Sequence, residues 1–477
     1  MIKSEYKNWL EKQSFVVLGA GISGLAALHL LKDNGAEVCV IDQSESGIRS
    51  EIAKEIAAMN VEVYWGRDIP REIWQRVTTM VLSPGISRVN PLVKQAFANH
   101  VQVIAEVELA WRFIGEKDKM IGITGTNGKT TTTAWTAHIL EQAGKNVVCG
   151  GNIGKAWSAL VNTNSEEPRI HVVELSSFQL ESVDSMSPDV AMITNITPDH
   201  LDRYGTIENY ARAKQLIYQS MGKGSALLYN SETPKVLITP TLGSIRCDTY
   251  DISADASIDP QPVVGVDQDG MLYIDLHGKR ETLVNEKDLP LPGKHNCENA
   301  LFAAMAARLM ELSREDVIRG LLSFKPVEHR IELCGQWKDI RFYNDSKATN
   351  VDSLEKALLS FPKNKIILLA GGVHKKAPYT PLCDLVSERV RLVVTMGEAA
   401  PIIESDWATC AVPMTRAKSM RDAVALAMNA AQGDDVILLS PACASFDWYP
   451  MPGGGYEARG RDFKKIVKEL IASTLQK

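Results

Sequence analysis

Short apolar runs alternate with longer amphipathic stretches along most of the 477-residue chain. Apolar runs at residues 14–18, 37–41, 61–64 and 79–82 predict buried strands, and residues 25–34 predict a helix between the first two. Strands that alternate with helices are typical of a parallel α/β sheet. The first part of the chain therefore predicts one α/β unit that ends near residue 107.

Two further series of strands follow. The second begins at residues 120–124, continues at 171–175 and 190–194, and includes a β-rich portion at 249–284 with helices at 296–312 and 314–322. The third contains strands at 340–343, 365–369, 392–395 and 436–439 and a closing helix at 457–474. We predict three α/β domains at residues 1–107, 108–326 and 327–477.

The composition and net charge exclude some classes of protein. The chain is 45% hydrophobic and 23% charged, which excludes wholesale disorder, and its net charge of −6 argues against a nucleic-acid binder. Eight cysteines without a C-x-x-C pair provide neither a disulfide framework nor a zinc site, so we expect a reducing compartment. The apolar stretch at 15–31 contains three glycines and follows acidic residues, so we expect no signal peptide, no membrane span and a cytoplasmic protein.

A first glycine cluster lies between a predicted strand and a predicted helix, and Asp42 ends the next strand. Such a turn lets the backbone approach a diphosphate at a helix N-terminus, and an acidic residue in this place accepts hydrogen bonds from a ribose. A nucleotide site is favoured over a turn that serves only packing. The cluster consists of Gly19, Ala20, Gly21, Ile22, Ser23 and Gly24.

A second glycine cluster follows the strand at 120–124 and precedes a helical stretch. Its backbone N–H groups are expected to hold phosphates, Lys129 to offset charge on the β and γ oxygens, and Thr130 to ligate Mg²⁺. The general pattern requires Gly where this chain has Ile123, so the match is to a variant phosphate loop. The loop and the start of its helix comprise Gly125, Thr126, Asn127, Gly128, Lys129, Thr130 and Thr131.

Carboxylate and imidazole groups follow the next strands. Glu174 ends one strand, and Asn195, Asp199, His200 and Asp202 follow another. Oxygen ligands suit Mg²⁺, and strand ends beside a phosphate loop are its usual location, so Glu174 and His200 are predicted ligands. Lys214 lies on a predicted helix at 207–219, where periodicity alone gives a solvated lysine.

Basic and hydroxyl groups follow several strands of the third unit and together indicate an anion-binding edge. Any one of these segments could equally be an ordinary turn that contains Gly or Pro and has no binding role. The groups lie in Glu328-His329-Arg330, in Asn344-Asp345-Ser346-Lys347-Ala348-Thr349-Asn350, at Lys375 after Gly371-Gly372, and in Ser440-Pro441-Ala442-Cys443-Ala444-Ser445.

Taken together, these strings resemble the Mur ligases, the ATP-dependent amide-bond enzymes of peptidoglycan precursor synthesis. Within that family they are most similar to the branch that adds D-glutamate. Besides the strings above, the resemblance rests on Ser83-Pro84-Gly85-Ile86, Gly151-Asn152-Ile153-Gly154, Glu174-Leu175-Ser176-Ser177-Phe178-Gln179-Leu180-Glu181 and Asn195-Ile196-Thr197-Pro198-Asp199-His200-Leu201-Asp202-Arg203-Tyr204.

The resemblance implies a Rossmann-like N-terminal domain, a P-loop ATPase-like central domain and a Rossmann-like C-terminal domain. The first would bind the UDP part of the substrate through the Gly19–Gly24 turn, Asp42, Ser83, Pro84 and Gly85. The second would bind ATP and Mg²⁺, with Lys214 matching a carbamylated lysine. Asn152 matches a residue near the substrate carboxylate, and Asn296 and Asn299 match an adenine-side helix.

In the third domain, Arg330 and Asp345 match positions that contact ATP. The resemblance further implies that the alanyl carboxylate of UDP-N-acetylmuramoyl-L-alanine is phosphorylated by ATP and that the amine of D-glutamate then displaces phosphate, in a cytoplasmic monomer that serves cell-wall biogenesis, cell shape and cell division. The D-glutamate pocket would comprise Lys347, Thr349, Lys375, Ser445 and Tyr456.

One departure leaves alternatives open. Residues 448–455 form an insertion beside this pocket, and Tyr456 replaces the Phe usual in relatives; Val373-His374 is a second local difference. L-glutamate or another acceptor of the same superfamily is therefore an alternative, and the insertion is equally compatible with a flexible surface loop. A P-loop nucleotide switch leaves the cationic groups of the third domain unexplained, and a nicotinamide-dependent oxidoreductase leaves the phosphate loop unexplained.

Overall fold

Three β-sheets with flanking helices make up the computed structural model of the chain. It describes residues 4–43, 50–66, 69–162, 165, 167–238, 247–258, 261–276, 278–325, 328–361, 363, 365–375, 377–450 and 454–475. Two compact units are distinguished, one of Met1–Asp288 and Glu298–Phe324, the other of Leu289–Cys297 and Lys325–Lys477. The three sheets confirm the predicted α/β fold class.

The first sheet is entirely parallel, in the order β3-β2-β1-β4-β5. Continuous apolar runs such as that of Ser14–Leu18 favour strands covered on both faces. Strand order reverses beside β1, so the turns after β1 and β4 border the crevice where α/β sheets bind ligands. The elements are α1 (Ser4–Leu10), β1 (Ser14–Leu18), α2 (Ile22–Asp33), β2 (Glu37–Asp42), α3 (Ser50–Ala58), β3 (Glu62–Trp65), α4 (Arg71–Arg76), β4 (Thr79–Leu82), α5 (Pro91–Ala98), β5 (Gln102–Ala105) and α6 (Glu106–Phe113).

The central sheet has the order β14-β13-β12-β11-β10-β9-β6-β8-β7, parallel from β7 to β12 and antiparallel from β12 to β14. The antiparallel hairpins are the β portion predicted at 249–284. The elements are β6 (Lys119–Thr124), α7 (Lys129–Gln142), β7 (Val147–Gly151), α8 (Trp157–Val161), β8 (Ile170–Glu174), α9 (Ser177–Leu180), β9 (Val190–Ile193), α10 (Leu201–Tyr204), α11 (Ile207–Gln215), β10 (Ala226–Asn230), α12 (Lys235–Ile238), β11 (Asp248–Ile252), β12 (Val264–Val266), β13 (Met271–Leu276), β14 (Lys279–Asn285), α13 (Lys294–Leu309) and α14 (Arg314–Ser323).

The third sheet has the order β15-β16-β20-β17-β18-β19, with only the β15–β16 pair antiparallel. Strands β16, β20 and β17 are adjacent, which brings the loops that follow them to one edge. The elements are β15 (Glu332–Trp337), β16 (Ile340–Asn344), α15 (Val351–Leu359), β17 (Ile366–Gly371), α16 (Cys383–Arg389), β18 (Val390–Met396), α17 (Ala400–Asp406), β19 (Met414–Arg416), α18 (Met420–Ala430), β20 (Val436–Leu439) and α19 (Tyr456–Leu475).

The structure can be compared with the expectations for a membrane segment, for disulfides and for domain boundaries. Residues 15–31 divide between β1 and α2, and no helix in the described part of the chain is long and apolar enough to cross a membrane. Although cysteines are sparse, Cys383 and Cys410 form a disulfide with their Cα atoms 5.4 Å apart. The predicted domain boundary at 107/108 falls within α6, that at 326/327 lies outside the described residues, and both stay predictions.

The insertion beside the third sheet is anchored at its start. Trp448 and Tyr449 pack against a buried apolar cluster, and the Tyr449 hydroxyl donates to Asp462 Oδ2 over 2.6 Å. Residues 451–453 lie outside the described residues. The anchored part of the insertion therefore belongs to the packed structure of the second unit.

Candidate active site

The glycine turn after β1 is shaped by close backbone approaches. Gly19 has a φ of +95°, and a Cβ at this position would lie 2.8 Å from Ile86 Cδ1. A Cβ on Gly24 would collide with the carbonyl oxygen of Gly19. Apart from the two chain neighbours of Gly21, no atom of the described residues lies within 4 Å of the position that a Cβ would take there, so the middle of the turn is open to a ligand.

Polar groups of neighbouring strands fix this turn. The Ala20 N–H donates to Asp42 Oδ2 over 2.7 Å, and the Ser83 hydroxyl donates to the Gly19 carbonyl over 2.8 Å. Ile22, 58% exposed, and Ser23 begin α2 at the same place. The structure therefore brings together the predicted residues of the UDP side at the crevice of the first sheet.

The phosphate loop, residues 125–128, is equally constrained. Gly125 has a φ of +145° and Gly128 a φ of +82°, both in the region that favours glycine. A Cβ on Gly125 would collide with Thr194 Oγ1, and one on Gly128 with Asn299 Oδ1. These glycines allow the loop to pass between the end of β9 and helix α13.

Hydrogen bonds hold the loop to the segment after β9. Thr126 N–H donates to the Asn195 carbonyl and Asn127 N–H to Asn195 Oδ1, each over 2.9 Å. The Thr194 hydroxyl donates to the Asn127 carbonyl over 2.6 Å. Helix α7 starts at Lys129, so buried Thr130 and Thr131 lie in its first turn, where backbone N–H groups favour an anion.

Lys129 folds back onto its own loop. Its Nζ donates to the carbonyl oxygens of Gly125 and Thr126, each over 2.8 Å. These are neutral acceptors, which a phosphate oxygen could replace with a stronger charge-assisted bond. The ammonium group therefore lies against the backbone of the predicted phosphate loop.

Lys214 is a buried amine on α11. It is 1% exposed, and its Nζ donates to the Gly125 carbonyl over 2.7 Å. Burial, reinforced by the positive charge of Lys129, holds its pKa well below the usual value, against the opposing influence of Asp199 and Glu174. A solvated lysine, as periodicity alone predicts, is therefore wrong for this residue.

Glu174 at the end of β8 has one satisfied and one unsatisfied oxygen. Oε1 accepts a hydrogen bond from Asn152 Nδ2 over 2.8 Å, whereas buried Oε2 has no hydrogen-bond partner among the described residues. A buried carboxylate oxygen without a partner is costly unless a cation or ligand completes it. The site therefore fits a hard cation such as Mg²⁺.

His200 lies nearby in an unusual backbone conformation. Its φ is +53°, its backbone N–H donates to Asp199 Oδ1 over 2.9 Å, and its side chain is 47% exposed. The ring packs on Phe178, with centroids 4.9 Å apart. The side chain of Asp202 lies outside the described residues.

A cavity of about 300 Å³ joins these groups within the first unit. It brings two residues of the first-sheet turn against the predicted catalytic side chains of the central sheet. Its lining comprises Pro84, Gly85, Lys129, Asn152, Ser176, Ser177, Phe178, Asp199, His200, Tyr210 and Lys214.

The second unit gathers another set of predicted residues at the ends of β16, β20 and β17. Lys375 Nζ donates to Thr349 Oγ1 over 3.1 Å, and Lys347 Nζ lies 5.5 Å from the centre of the Tyr456 ring. Ser445 is buried in the loop after β20. Cations and hydroxyls at one edge are suited to a small anion with carboxylate groups.

Arg330 and Asp345 also belong to the second unit. Asp345 accepts from the Ser440 hydroxyl over 2.8 Å, and burial raises its pKa to about 7 although the charge of Arg330 opposes this. Asn296, at the start of α13, donates to the Pro292 carbonyl over 2.7 Å. Asn299 accepts from the Thr132 hydroxyl over 3.1 Å and so lies at the phosphate loop.

Three family models match successive parts of the chain. They are the MurD-like N-terminal domain of Mur ligases at residues 13–105, the Mur ligase middle domain at 123–307 and the glutamate ligase domain of Mur ligases at 329–443. The chain belongs to the Mur ligase family. The resemblance read from the motifs is thereby confirmed.

Relatives of this Mur ligase are similar along nearly its whole length. A UDP-N-acetylmuramoylalanine–D-glutamate ligase of Caldicellulosiruptor bescii is 36% identical over 97% of this chain and 99% of its own. One from Koribacter versatilis is 38% identical over 95% and 97%. The MurF ligase of Thermotoga maritima, solved in complex with ADP, has the same fold with a TM-score of 0.59 at 13% identity, over 92% of this chain and 95% of its own.

Sequence reasoning gave no site role to Tyr210 and Phe178, two aromatic residues of this Mur ligase that line the cavity. Tyr210 is one helical turn before Lys214, and the lysine Nζ lies 4.5 Å from the centre of its ring. The i, i+4 spacing on a helix was the available signal. Phe178 lies in a string that carried the resemblance, but its contact with His200 joins residues from different strand ends and required the fold.

Proposed function

We propose that this Mur ligase joins D-glutamate to UDP-N-acetylmuramoyl-L-alanine in an ATP-dependent step of peptidoglycan precursor synthesis, as a cytoplasmic monomer. One observation carries the proposal: Lys129, Lys214, Asn152 and His200 face a single cavity that also touches the Pro84-Gly85 turn of the first sheet. The predicted phosphate-binding lysine and the Pro84-Gly85 turn, which the resemblance assigns to the UDP-substrate, thus border the same cavity. The names of full-length relatives supply the substrates.

The UDP part of the substrate binds at the first sheet. The open position at Gly21 lets the backbone approach the diphosphate, and the N-terminus of α2 favours its negative charge. Asp42 supports the turn through the Ala20 N–H and accepts hydrogen bonds from the nucleoside. The alanyl end of the substrate then reaches the cavity beyond Pro84 and Gly85.

ATP binds at residues 125–128 and the first turn of α7. Lys129 exchanges its two carbonyl acceptors for phosphate oxygens, which bear more charge. Asn299, in contact with the loop, belongs with Asn296 to the adenine side. The family resemblance assigns Arg330 to phosphate and Asp345 to ribose.

Mg²⁺ is the cation that suits this donor set, which consists of oxygen ligands with one imidazole. Thr130, Glu174 and His200 would hold it, with the unpartnered Oε2 of Glu174 as the strongest indication. When bound, the ion offsets negative charge on the phosphate oxygens.

Lys214 completes the site as a carbamate. Its lowered pKa favours the neutral amine, whose nitrogen lone pair can attack CO₂; an N–C bond forms, a proton leaves the nitrogen, and a carboxylate-like anion results. The modification replaces a buried amine with oxygen ligands beside Glu174. The resulting anion also offsets the positive charge of nearby Lys129.

The reaction takes place in two steps. The alanyl carboxylate attacks the γ-phosphorus of ATP, and an O–P bond forms. The bond between this phosphorus and the β-phosphate oxygen breaks, so that ADP departs and an acyl phosphate remains. The amine of D-glutamate then attacks the acyl carbon, loses a proton, and phosphate departs. Lys129 and Arg330 offset the charge that develops on the phosphoryl oxygens, and Asn152 orients the carboxylate.

D-glutamate binds at the edge formed by the ends of β16, β20 and β17. Lys347 and Lys375 pair with its carboxylates, while Thr349 and Ser445 donate hydroxyl hydrogen bonds. The Lys375–Thr349 contact already presents two of these groups together. Tyr456, at the start of α19, closes the side next to Lys347.

A screen of amino acids tests the substrate. Purified enzyme is supplied with ATP, Mg²⁺ and UDP-N-acetylmuramoyl-L-alanine, and phosphate release is followed with each amino acid, both glutamate enantiomers included. We expect release with D-glutamate and a large preference over L-glutamate. Activity with lysine or a folate substrate and none with glutamate would refute the proposal, and ATP hydrolysis without any amino-acid dependence would favour a nucleotide switch.

The phosphate loop is tested by Lys129→Ala. Because the side chain is the cation of the loop, we expect a loss of about 10³-fold or more in kcat, of the order seen when a charged transition-state contact is removed. Lys145→Ala, at an exposed lysine after α7, is the matched control. Turnover like that of the wild type in Lys129→Ala, with circular dichroism unchanged, would end this assignment.

A further inference from the structure

Two loops of the amino-acid edge are joined by a short backbone bridge. The Val373 N–H donates to the Ala444 carbonyl over 2.8 Å, and the Ala444 N–H donates back over 3.2 Å. This antiparallel bridge connects the loop after β17 with the loop after β20. Lys375 and Ser445 lie two residues and one residue beyond it, so the bridge sets their spacing.

The residues next to the bridge are linked by a third side chain. In an antiparallel pair the neighbours of Val373 and Ala444 are His374 and Cys443, which face the same side. The Tyr379 hydroxyl lies between them, 3.1 Å from His374 Nδ1 and 2.9 Å from Cys443 Sγ. The side chains of His374, Tyr379 and Cys443 therefore form a hydrogen-bonded series beside the backbone bridge.

The hydrogen bonds of this series can form with either proton arrangement on His374. A tyrosine hydroxyl donates one proton and accepts others. When His374 Nδ1 accepts from the hydroxyl, the Cys443 thiol donates to it; when Nδ1 carries a proton, the hydroxyl donates to the sulfur. Burial keeps Cys443 in the thiol form, with its pKa raised to about 11.

Tyr379 itself is firmly fixed. It is 1% exposed, its N–H donates to Asp406 Oδ2, and its carbonyl accepts from Trp407 Nε1, each over 2.8 Å. The Cys383–Cys410 disulfide joins the same two segments of the chain a few residues further on. The hydroxyl is thus a rigid reference point for both loops.

We propose that His374 and Tyr379 are positioning residues that hold Lys375 and Ser445 at the spacing required by the carboxylates of the incoming amino acid. The inference rests on the proposed function, because it assigns this edge to the amino acid. His374 is the local difference noted in the sequence, and its contact with Tyr379 gives that difference a role. Neither side chain needs to touch the substrate.

The test is a kinetic comparison of His374→Ala and Tyr379→Phe with the wild type. Each removes one end of the same hydrogen bond, so we expect KM for D-glutamate to rise about tenfold, kcat to change by no more than about twofold, and KM for ATP and the UDP-substrate to stay constant. The double variant should be no worse than Tyr379→Phe, because His374→Ala removes a contact that this variant already lacks.

Conservative variants separate positioning from simple packing. His374→Asn carries its amide at the place of Nδ1 and should restore a low KM, whereas His374→Gln reaches the place of Nε2 and should not. Tyr218→Phe removes another half-buried hydroxyl, which donates to the Ile238 carbonyl in the first unit, and should leave KM for D-glutamate unchanged. Thermal unfolding of each variant shows that the fold is retained.

A parallel rise of all three KM values, rescue by Gln as well as Asn, or additive effects in the double variant would overturn the inference. Failure of the proposed function looks different, because the wild type would then use another amino acid or none. If another amino acid is used, its KM replaces that of D-glutamate in the same comparison. If none is used, KM shifts cannot follow, and the assignment of this edge fails together with the inference.

Discussion

Asp345 shows how one buried carboxyl group can link the binding edge of the second unit to pH. It is 6% exposed and accepts from Ser440 and from the Ile331 N–H. Burial outweighs these bonds and the charge of Arg330, so its pKa rises from 3.8 to about 7. Between these two values the folded chain binds more protons at this site than the unfolded chain.

The sign of the effect on stability follows from that difference. Because the folded state holds the extra proton, the free energy of unfolding falls as pH rises from about 4 to about 7. Asp345→Asn removes the ionisation and should stabilise the second unit by about 2–4 kcal/mol at pH 8, with the gain disappearing towards pH 4. Calorimetry over this pH range measures it.

An exposed carboxyl group provides the control for this substitution. Asp339→Asn, in the turn between β15 and β16, is the matched variant and is measured over the same pH range. The prediction is wrong if the difference in stability between Asp345→Asn and the wild type is the same at pH 8 as at pH 4. In that case, burying the ionised carboxylate of Asp345 does not destabilise the fold.

At the scale of elements, buried parallel strands were the easiest to predict. β1, β4 and β20 have the predicted bounds, because each is a continuous apolar run with both faces covered. β15, Glu332–Trp337, was missed since it is a partly exposed antiparallel edge strand with polar residues and a glycine. β7 was missed as an edge strand that ends in two glycines.

The site was predictable as far as it follows strand ends. Gly128 and Lys129 follow an apolar run within five residues and Glu174 ends another, so strand ends indicated them as candidates. The family, fold class and ligase chemistry predicted from these motifs are confirmed. Contacts across loops were not predictable. Tyr379 and Cys443 are 64 residues apart, and no periodicity relates them.

At the scale of the whole molecule, the apolar clusters do not follow the three sheets. One buried cluster includes Leu28 of α2, all of the apolar residues at the start of α6, and Ile193 of β9, so it serves both the first and the central sheet. The second unit has apolar clusters of its own, among them one that contains Leu368. A shared core makes two sheets unfold together.

We therefore expect calorimetry to resolve two unfolding transitions and not three. Leu28→Ala and Leu368→Ala each delete a fully buried side chain and should cost about 2–5 kcal/mol. The first should lower only the transition that contains both the first and the central sheet, which the fluorescence of buried Trp157 reports. The second should lower only the transition of the second unit, since its cluster has no member from the other. A Leu28→Ala chain in which the first sheet melts alone, with Trp157 unaffected, would show that the shared cluster does not couple them.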